Sequence, residues 1–403
     1  MMKIDLADIR KAKRKLDHYL KPTPLVLNTW LSEMLDCEVY LKLENMQPIG
    51  SFKIRGATYK ISELSKQERR RGVIAASAGN HAQGVAWGSR QLGVSSMIVM
   101  PNGASIVKLE NTKALGAEVI LKGNTYDQAC QAARVLAQET QRVFVHAFED
   151  PLVIAGQGTL GLELFEQLPD VDFVVGAVGG GGMMTGVSSA FRSLRPTAKM
   201  IACQAAGAPS MFESIRKHKA ISLPVQTFAD GIAVGSTSDE MRRLLSPLID
   251  RWIKVDEDAI ATAVLMLLEK AKIIAEGSGA VPLAALGQMR TQIKGKKVAL
   301  IISGGNIDVN LISRIIDLGL IRTGRRLRVN VLILDRPGSL AILTDLVGKS
   351  GSNILQVIHD RSKPSARINQ TDVELTLETR GPEHSRDVVK ILRKHVLKLE
   401  VVH

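Results

Sequence analysis

Short, almost wholly apolar runs alternate with longer stretches of helical periodicity along most of this chain, and that alternation restricts its fold more than any other feature. Runs at 38–43, 73–77, 96–100, 117–121, 143–146, 172–178, 199–204 and 297–302 read as strands. Helical periodicity fills 53–64, 81–92, 104–115, 125–140, 153–168, 183–194, 258–274 and 279–290, after an opening amphipathic helix over 5–20 that Pro22 and Pro24 stop. Strands that are apolar on both faces and joined by helices belong in parallel α/β sheets covered on both sides. Ligands of such sheets sit beyond the carboxyl ends of the strands. The turns after the strands are therefore where chemistry is expected.

The texture changes after Leu320. A basic turn, Arg322-Thr323-Gly324-Arg325-Arg326, leads to a strand (328–334), a helix (339–350), two strands (353–360 and 370–378), a helix (383–394) and a last strand (396–402). This β-α-β-β-α-β order is the ferredoxin-like arrangement. A chain of 403 residues has room for two or three domains.

Composition narrows the partners. The net charge of +13 draws anions such as phosphorylated cofactors and carboxylate substrates. The basic residues are scattered and aromatics are only 4%, so neither a nucleic-acid footprint nor a base-stacking platform is expected. Cys37, Cys130 and Cys203 form no CxxC, which argues against a disulfide framework or a zinc site and suits a reducing cytoplasm. The N-terminus has no apolar signal-peptide core, and no run of 18 apolar residues offers a membrane span.

Four motifs carry the chemistry. In Ser51-Phe52-Lys53-Ile54-Arg55-Gly56-Ala57, one lysine stands between an aromatic ring and a helix start. Desolvation and the helix N-terminus favour a neutral, nucleophilic amine, as an aldehyde cofactor requires. Ser77-Ala78-Gly79-Asn80-His81-Ala82-Gln83-Gly84 ends a strand and opens a helix, a place for backbone N–H groups to hold a carboxylate. Gly179-Gly180-Gly181-Gly182-Met183-Met184-Thr185-Gly186 follows another strand and forms a nest for phosphate. A dinucleotide fingerprint needs an acid about 20 residues on, where this chain has Ile201-Ala202-Cys203-Gln204. In Ile302-Ser303-Gly304-Gly305-Asn306 a buried strand delivers a hydroxyl that can face a neutral ring nitrogen. Taken singly, each has a plainer reading: a solvated lysine, capping serines or asparagine, a structural His81, a flexible turn. Taken together they suit pyridoxal 5′-phosphate holding an amino acid.

The motifs SFKIRGA, SAGNHAQG, GGGGMMTG and ISGGN, preceded by Lys42-Leu43-Glu44-Asn45-Met46-Gln47-Pro48, occur in the order seen in the threonine/serine dehydratase family. Over residues 5–320 the chain resembles that family of fold-type II (tryptophan synthase β-like) pyridoxal-phosphate enzymes, with two parallel-sheet subdomains. The tail, through its topology and Asp335-Arg336-Pro337-Gly338-Ser339-Leu340, resembles an ACT regulatory domain. The resemblance implies a catalytic domain over 1–320 with a small subdomain inserted at about 45–150, a linker at 321–326 and an ACT domain over 327–403. It implies that Lys53 links to the cofactor and shuttles the α-proton, and that Phe52 packs on the ring. Asn80 would bond the ring hydroxyl, and Ser303 would face the ring nitrogen. Gly179, Gly180, Gly181, Gly182 and Met183 would hold the phosphate, and Ser77, Ala78, Gly79 and His81 the substrate carboxylate. A serine at the ring nitrogen leaves it largely unprotonated, which disfavours transamination and favours loss of a β-leaving group.

The implied reaction is conversion of L-threonine to 2-oxobutanoate and ammonia, with L-serine giving pyruvate. Serine racemisation or serine-selective deamination is the alternative, and an inactive amino-acid sensor is a rival of another class. An effector such as isoleucine or valine is implied for the tail, with Gly338, Ser339, Leu340, Asn353 and Ile354 as candidate contacts, in a homodimer or homotetramer. Gly207-Ala208-Pro209-Ser210-Met211-Phe212-Glu213-Ser214 lacks the paired carboxylates of a cation site, so no metal is expected. Asp230 and Glu276 remain candidate pocket residues or helix caps.

Overall fold

Predominantly apolar runs form strands here because pairing buries their side chains and satisfies their backbone, and the pairing of those strands decides which turns meet. The computed structural model describes residues 3–361 and 368–402, and the chain divides into two units after Ile307. In chain order the first unit holds β1 (Leu25–Leu27), β2 (Glu38–Leu43), β3 (Val73–Ala76), β4 (Ser96–Met100), β5 (Glu118–Leu121), β6 (Val143–Phe144), β7 (Phe173–Ala177), β8 (Lys199–Ala205), β9 (Arg251–Val255) and β10 (Lys297–Ile302). They form a sheet in the order β1-β2-β10-β7-β8-β9 and a smaller one in the order β5-β4-β3-β6. All pairs are parallel except β1 with β2. β2 lies beside β10 along its whole length, Glu38 opposite Lys297 and Leu43 opposite Ile302, so the smaller sheet is an insertion between β2 and β7. Val174, Met184, Phe191, Met200 and Ile301 are fully buried in the larger core, and Val73, Ala75, Ile98 and Met100 in the smaller one.

Helix starts fall into two kinds. Asp5, Asn28, Ser65, Thr125, Asp150, Ser238 and Asp256 each accept a first-turn backbone N–H, satisfying donors that a helix leaves unpaired. The helices Lys53–Ser62, Asn80–Gln91 and Gly182–Leu194 have no such side-chain cap. Their free N–H groups are left for something else.

The structure adds elements that periodicity does not reveal. β1 has three residues, and β9 (Arg-Trp-Ile-Lys-Val) carries charges along the sheet edge. The helices Thr29–Leu35, Lys66–Arg71, Ser210–Arg216 and Asp239–Leu245 are too short to establish a 3.6-residue repeat. The helix expected over 258–274 is α-helical over Glu257–Met266 and then widens into a π turn over Leu267–Ala271. No described helix is long and apolar enough to cross a membrane.

The second unit opens with a helix, Val309–Arg322, then β11 (Arg326–Leu334), a helix Ser339–Lys349, β12 (Asn353–Asp360), β13 (Gln370–Glu378), a helix Pro382–Arg393 and β14 (Lys398–Val402). The sheet is antiparallel in the order β12-β13-β11-β14, a ferredoxin-like arrangement. Alternate residues Leu327, Val329, Val331 and Ile333 of β11 and Val373, Leu375 and Leu377 of β13 pack with Leu343, Val347, Val388 and Leu392 of the helices. The segment expected as a linker at 321–326 is half regular structure: Ile321 and Arg322 end the opening helix, Arg326 begins β11, and a turn over 323–325 joins them. The division between units lies before that helix, earlier in the chain than the change of texture suggests.

Candidate active site

The starts of the Lys53–Ser62, Asn80–Gln91 and Gly182–Leu194 helices meet at one cavity of about 390 Å³ in the first unit. Its lining includes Lys53 and Phe52, Ser77 to His81, Gly179 to Met183, and Ser303. These turns follow β3, β7 and β10, as a parallel sheet directs. Every cofactor and substrate position expected from the sequence is thus at this cavity. The Phe52 backbone N–H donates to the Ser303 carbonyl at 3.0 Å, so the lysine turn and the serine turn are stitched together.

Lys53 Nζ donates to the Ala147 carbonyl at 2.9 Å and lies 5.3 Å from the Phe52 ring centre. Burial disfavours its ammonium form and lowers its pKa to about 8, although Glu276 pulls the other way. The glycine turn is shaped by steric need. Gly181 has φ +95°, and a Cβ on Gly180 would come 2.3 Å from the Phe148 ring. The turn passes directly into the Gly182–Leu194 helix with its N–H groups uncapped.

His81 is buried and its ring hydrogen-bonds the backbone. Burial and the nearby Lys53 charge lower its pKa to about 3, so the ring is neutral at physiological pH. Its Nε2 faces the Val145 carbonyl at 2.9 Å and must therefore be the protonated, donating nitrogen. Nδ1 is then an acceptor, and it is buried with no partner. A lone pair repels a carboxylate, so any carboxylate bound here is held by backbone N–H groups of the Asn80 helix and not by this ring.

Glu276, a candidate pocket residue or helix cap, lines the cavity, and with Asn306 it organises Asn80. Its Nδ2 donates to Glu276 Oε1 at 2.7 Å, and its Oδ1 accepts from Asn306 Nδ2 at 2.7 Å. The amide orientation is thereby fixed, with one N–H and one lone pair left for a ligand. Glu276 also accepts from Ser278 Oγ at 2.7 Å, and burial together with Asp230 raises it to about 7. Asp230 lines the cavity and pairs with Lys108 of the inserted subdomain. Asn306 is three places beyond Ser303 in the same glycine turn, which was the signal available in the sequence. Among the described residues no group of three or more His, Cys, Asp or Glu side chains is gathered to hold a metal.

The effector candidates do not gather in this way. Gly338 has φ +86° and caps the Ser339–Lys349 helix, which Leu340 helps to pack, whereas Asn353 and Ile354 open β12 beyond the other end of that helix. Eleven residues span about 16 Å at 1.5 Å each. Within one copy, then, these residues do not build one site.

Known proteins agree with this geometry. Residues 16–304 match the family model described as pyridoxal-phosphate dependent enzyme. An L-threonine ammonia-lyase of Thermotoga maritima is 48% identical over 390 residues, covering 96% of this chain and 97% of that protein. Among solved structures, threonine deaminase isoform 2 of Solanum lycopersicum, in its processed form, superimposes with TM-score 0.75 at 37% identity, covering 78% of this chain and 87% of its own. Maize serine racemase superimposes with TM-score 0.74 at 32% identity, covering 79% and 98%. With a half-buried lysine, a glycine nest and an open helix start at one cavity, and with this match across its first unit, the chain belongs to the pyridoxal-phosphate dependent enzymes.

Proposed function

We propose that the protein deaminates L-threonine to 2-oxobutanoate and ammonia, and L-serine to pyruvate, using pyridoxal 5′-phosphate. The observation that carries this reading is the convergence of Lys53 with two further uncapped helix starts on one cavity, in a chain alike along 96% of its length to an L-threonine ammonia-lyase. The residues present fit the cofactor. The Gly179–Gly182 nest is a phosphate cradle, the remaining N–H of Asn80 suits a ring oxygen, Phe52 offers an apolar face, and Ser303 is a neutral partner for a ring nitrogen.

When bound, the cofactor withdraws electrons from the α-carbon of an amino acid joined to its aldehyde. Lys53 supplies the linking amine and then takes the α-proton at Nζ, a role its lowered pKa permits near neutrality. The backbone N–H groups of Ser77 to His81 hold the substrate carboxylate at the start of the Asn80–Gln91 helix. Ser303 does not protonate the ring nitrogen, which favours departure of the β-hydroxyl over transamination. Ammonia and a 2-oxo acid are the products once the released enamine meets water.

The second unit is read as an ACT domain that binds an amino acid between paired copies. Its β12 is an unpaired edge with Leu355, Val357 and Ile358 exposed, which supports assembly with a second copy. On this reading Gly338, Ser339 and Leu340 of one copy and Asn353 and Ile354 of another share the effector, in a homodimer or homotetramer. Free thiols at Cys37, Cys130 and Cys203 suit a reducing cytoplasm.

The test is 2-oxo-acid release from L-threonine and L-serine by the cofactor-loaded protein, with and without isoleucine. Faster release from threonine, altered by isoleucine, supports the reading. Formation of D-serine without 2-oxo acid overturns it in favour of racemisation, the activity named for the similar maize structure.

A further inference from the structure

Behind Lys53 lies a buried ionic cluster that no step above uses. Lys42 and Glu44 are fully buried, Arg55 is 1% exposed and Glu163 3%. Arg55 forks onto two carboxylates at once. Its Nε and Nη2 donate to Glu44 at 2.7 and 2.8 Å, and its Nη1 and Nη2 to Glu163 at 2.8 and 2.6 Å. Its remaining N–H reaches Thr159 Oγ1 at 3.2 Å, so all five guanidinium donors are used. Lys42 Nζ spends its three donors on the Thr23 carbonyl at 2.8 Å, Gln167 Oε1 at 2.9 Å and Glu163 Oε2 at 3.2 Å. Thr23 and Gln47 donate to Glu44 from the other side. Two cations and two anions cancel, and every donor on Arg55 and Lys42 has a partner.

Stability alone does not account for such a cluster. Taking four charges out of water costs about what their attraction returns, and apolar replacements of similar volume are often as stable or more so. What the cluster provides is position. Arg55 follows Lys53 by two places on the same helix, about 200° around its axis. Lys53 therefore faces the cavity while Arg55 anchors the reverse side to the Pro151–Gln167 helix through Glu163 and to the end of β2 through Glu44. In front, the stitch from the Phe52 N–H to the Ser303 carbonyl holds the same turn.

We propose that Arg55, with Lys42, Glu44 and Glu163, is a positioning device that fixes the rotation and depth of the Lys53 helix, and so the reach of the lysine amine. This rests on the threonine-deaminating reading and deepens it. An apolar cluster would hold the helix as firmly but could slide and rotate, whereas a guanidinium forked between two carboxylates has one geometry.

The experiment replaces the cluster by uncharged side chains of similar volume: Lys42→Met, Glu44→Gln, Arg55→Met and Glu163→Gln together, in the full chain loaded with pyridoxal phosphate. Thermal midpoint, kcat and KM for L-threonine, and the pH midpoint of the visible absorbance of the cofactor on Lys53 are measured. The expected result is a midpoint of unfolding at or above that of the parent protein. With it come a kcat about a hundredfold lower, a KM changed less than about threefold, and a displaced pH midpoint of the absorbance. Arg55→Lys keeps the charge but loses the fork, and is expected to move kcat and the absorbance in the same direction. Parental kcat and pH midpoint in the quadruple variant overturn the proposal. So does a quadruple variant that fails to fold, because the cluster would then serve stability. If the parent protein shows the absorbance but no turnover of threonine, the functional reading fails while the absorbance still reports the position of Lys53.

Discussion

The two units solve burial in opposite ways. The second unit has an aliphatic core built from alternating residues such as Val329, Val331, Leu375 and Leu377, with only small hydroxyl residues (Ser352, Thr371, Thr379) as its buried polar side chains among the described residues. The first unit buries Lys42, Glu44, Arg55, Glu163 and Glu276 and gathers the uncapped starts of the Lys53–Ser62, Asn80–Gln91 and Gly182–Leu194 helices, among others, around one cavity. A fold has no need of buried charge, open N–H groups or four successive glycines. The charges of Lys42, Glu44, Arg55 and Glu163 complete one another, whereas the open N–H groups and the glycine turn at the cavity are left for something outside the chain. The second unit carries no such unfinished chemistry in its core, so its role is to be sought on its surfaces, above all along the β12 edge.

Replacing Lys53 by alanine tests the contrast most severely. Threonine turnover is expected to fall by about 10³-fold or more, and the visible absorbance of the bound cofactor to vanish, while circular dichroism stays native. Retained 2-oxo-acid production would show that the cavity is not where the chemistry occurs.

Gly180→Ala attacks the phosphate nest without touching charge. A methyl group meets the Phe148 ring at 2.3 Å, so the ring or the turn must shift. Overpacking of this kind costs about 1–3 kcal/mol, and cofactor affinity by fluorescence titration should weaken accordingly. Unchanged affinity would detach the nest from the cofactor.

The state of Lys53 gives a pH test. Its pKa is depressed to about 8, and the neutral amine is the reactive form. Capture of pyridoxal phosphate by the cofactor-free protein should speed up as pH rises and level off above about 8. A rate still climbing towards the ordinary lysine range would mean that the amine is not desolvated.

Leu375→Ala serves as the counterpart in the second unit. It opens a cavity in that core at a cost of about 2–5 kcal/mol, so a lower-temperature transition should appear on heating. Turnover without effector is expected to change less than about twofold. A large loss of basal activity would show that the first unit depends on the second for catalysis.

How much of this was legible beforehand depends on how local each feature is. β2, β4 and β10 stand at 38–43, 96–100 and 297–302 as their apolar runs indicate, because Val39, Leu41 and Leu43, Met97 to Met100 and Val298 to Ile302 are buried and keep each run predominantly apolar. β9 was missed because arginine and lysine break its run, and β1 because three residues carry no period. The turns that line the cavity were legible for the same local reason: glycine and serine directly after an apolar strand leave few other readings. The bonds of Glu276 and Asn306 to Asn80, and of Arg55 to Glu163, have no local signature. Their partners lie 196, 226 and 108 positions away along the chain.

The alternating α/β pattern, the ferredoxin-like order of the tail and the residue types a phosphorylated aldehyde cofactor needs are all readable along the chain. These follow from periodicity and from turn chemistry, which act within a few residues. Only the tertiary structure decided that the turns share one cavity, that His81 stays neutral with its free nitrogen an acceptor, and that Arg55 anchors the back of the Lys53 helix. Those are matters of burial and of contacts between distant segments, and desolvation and hydrogen-bond direction exist only once the chain has folded.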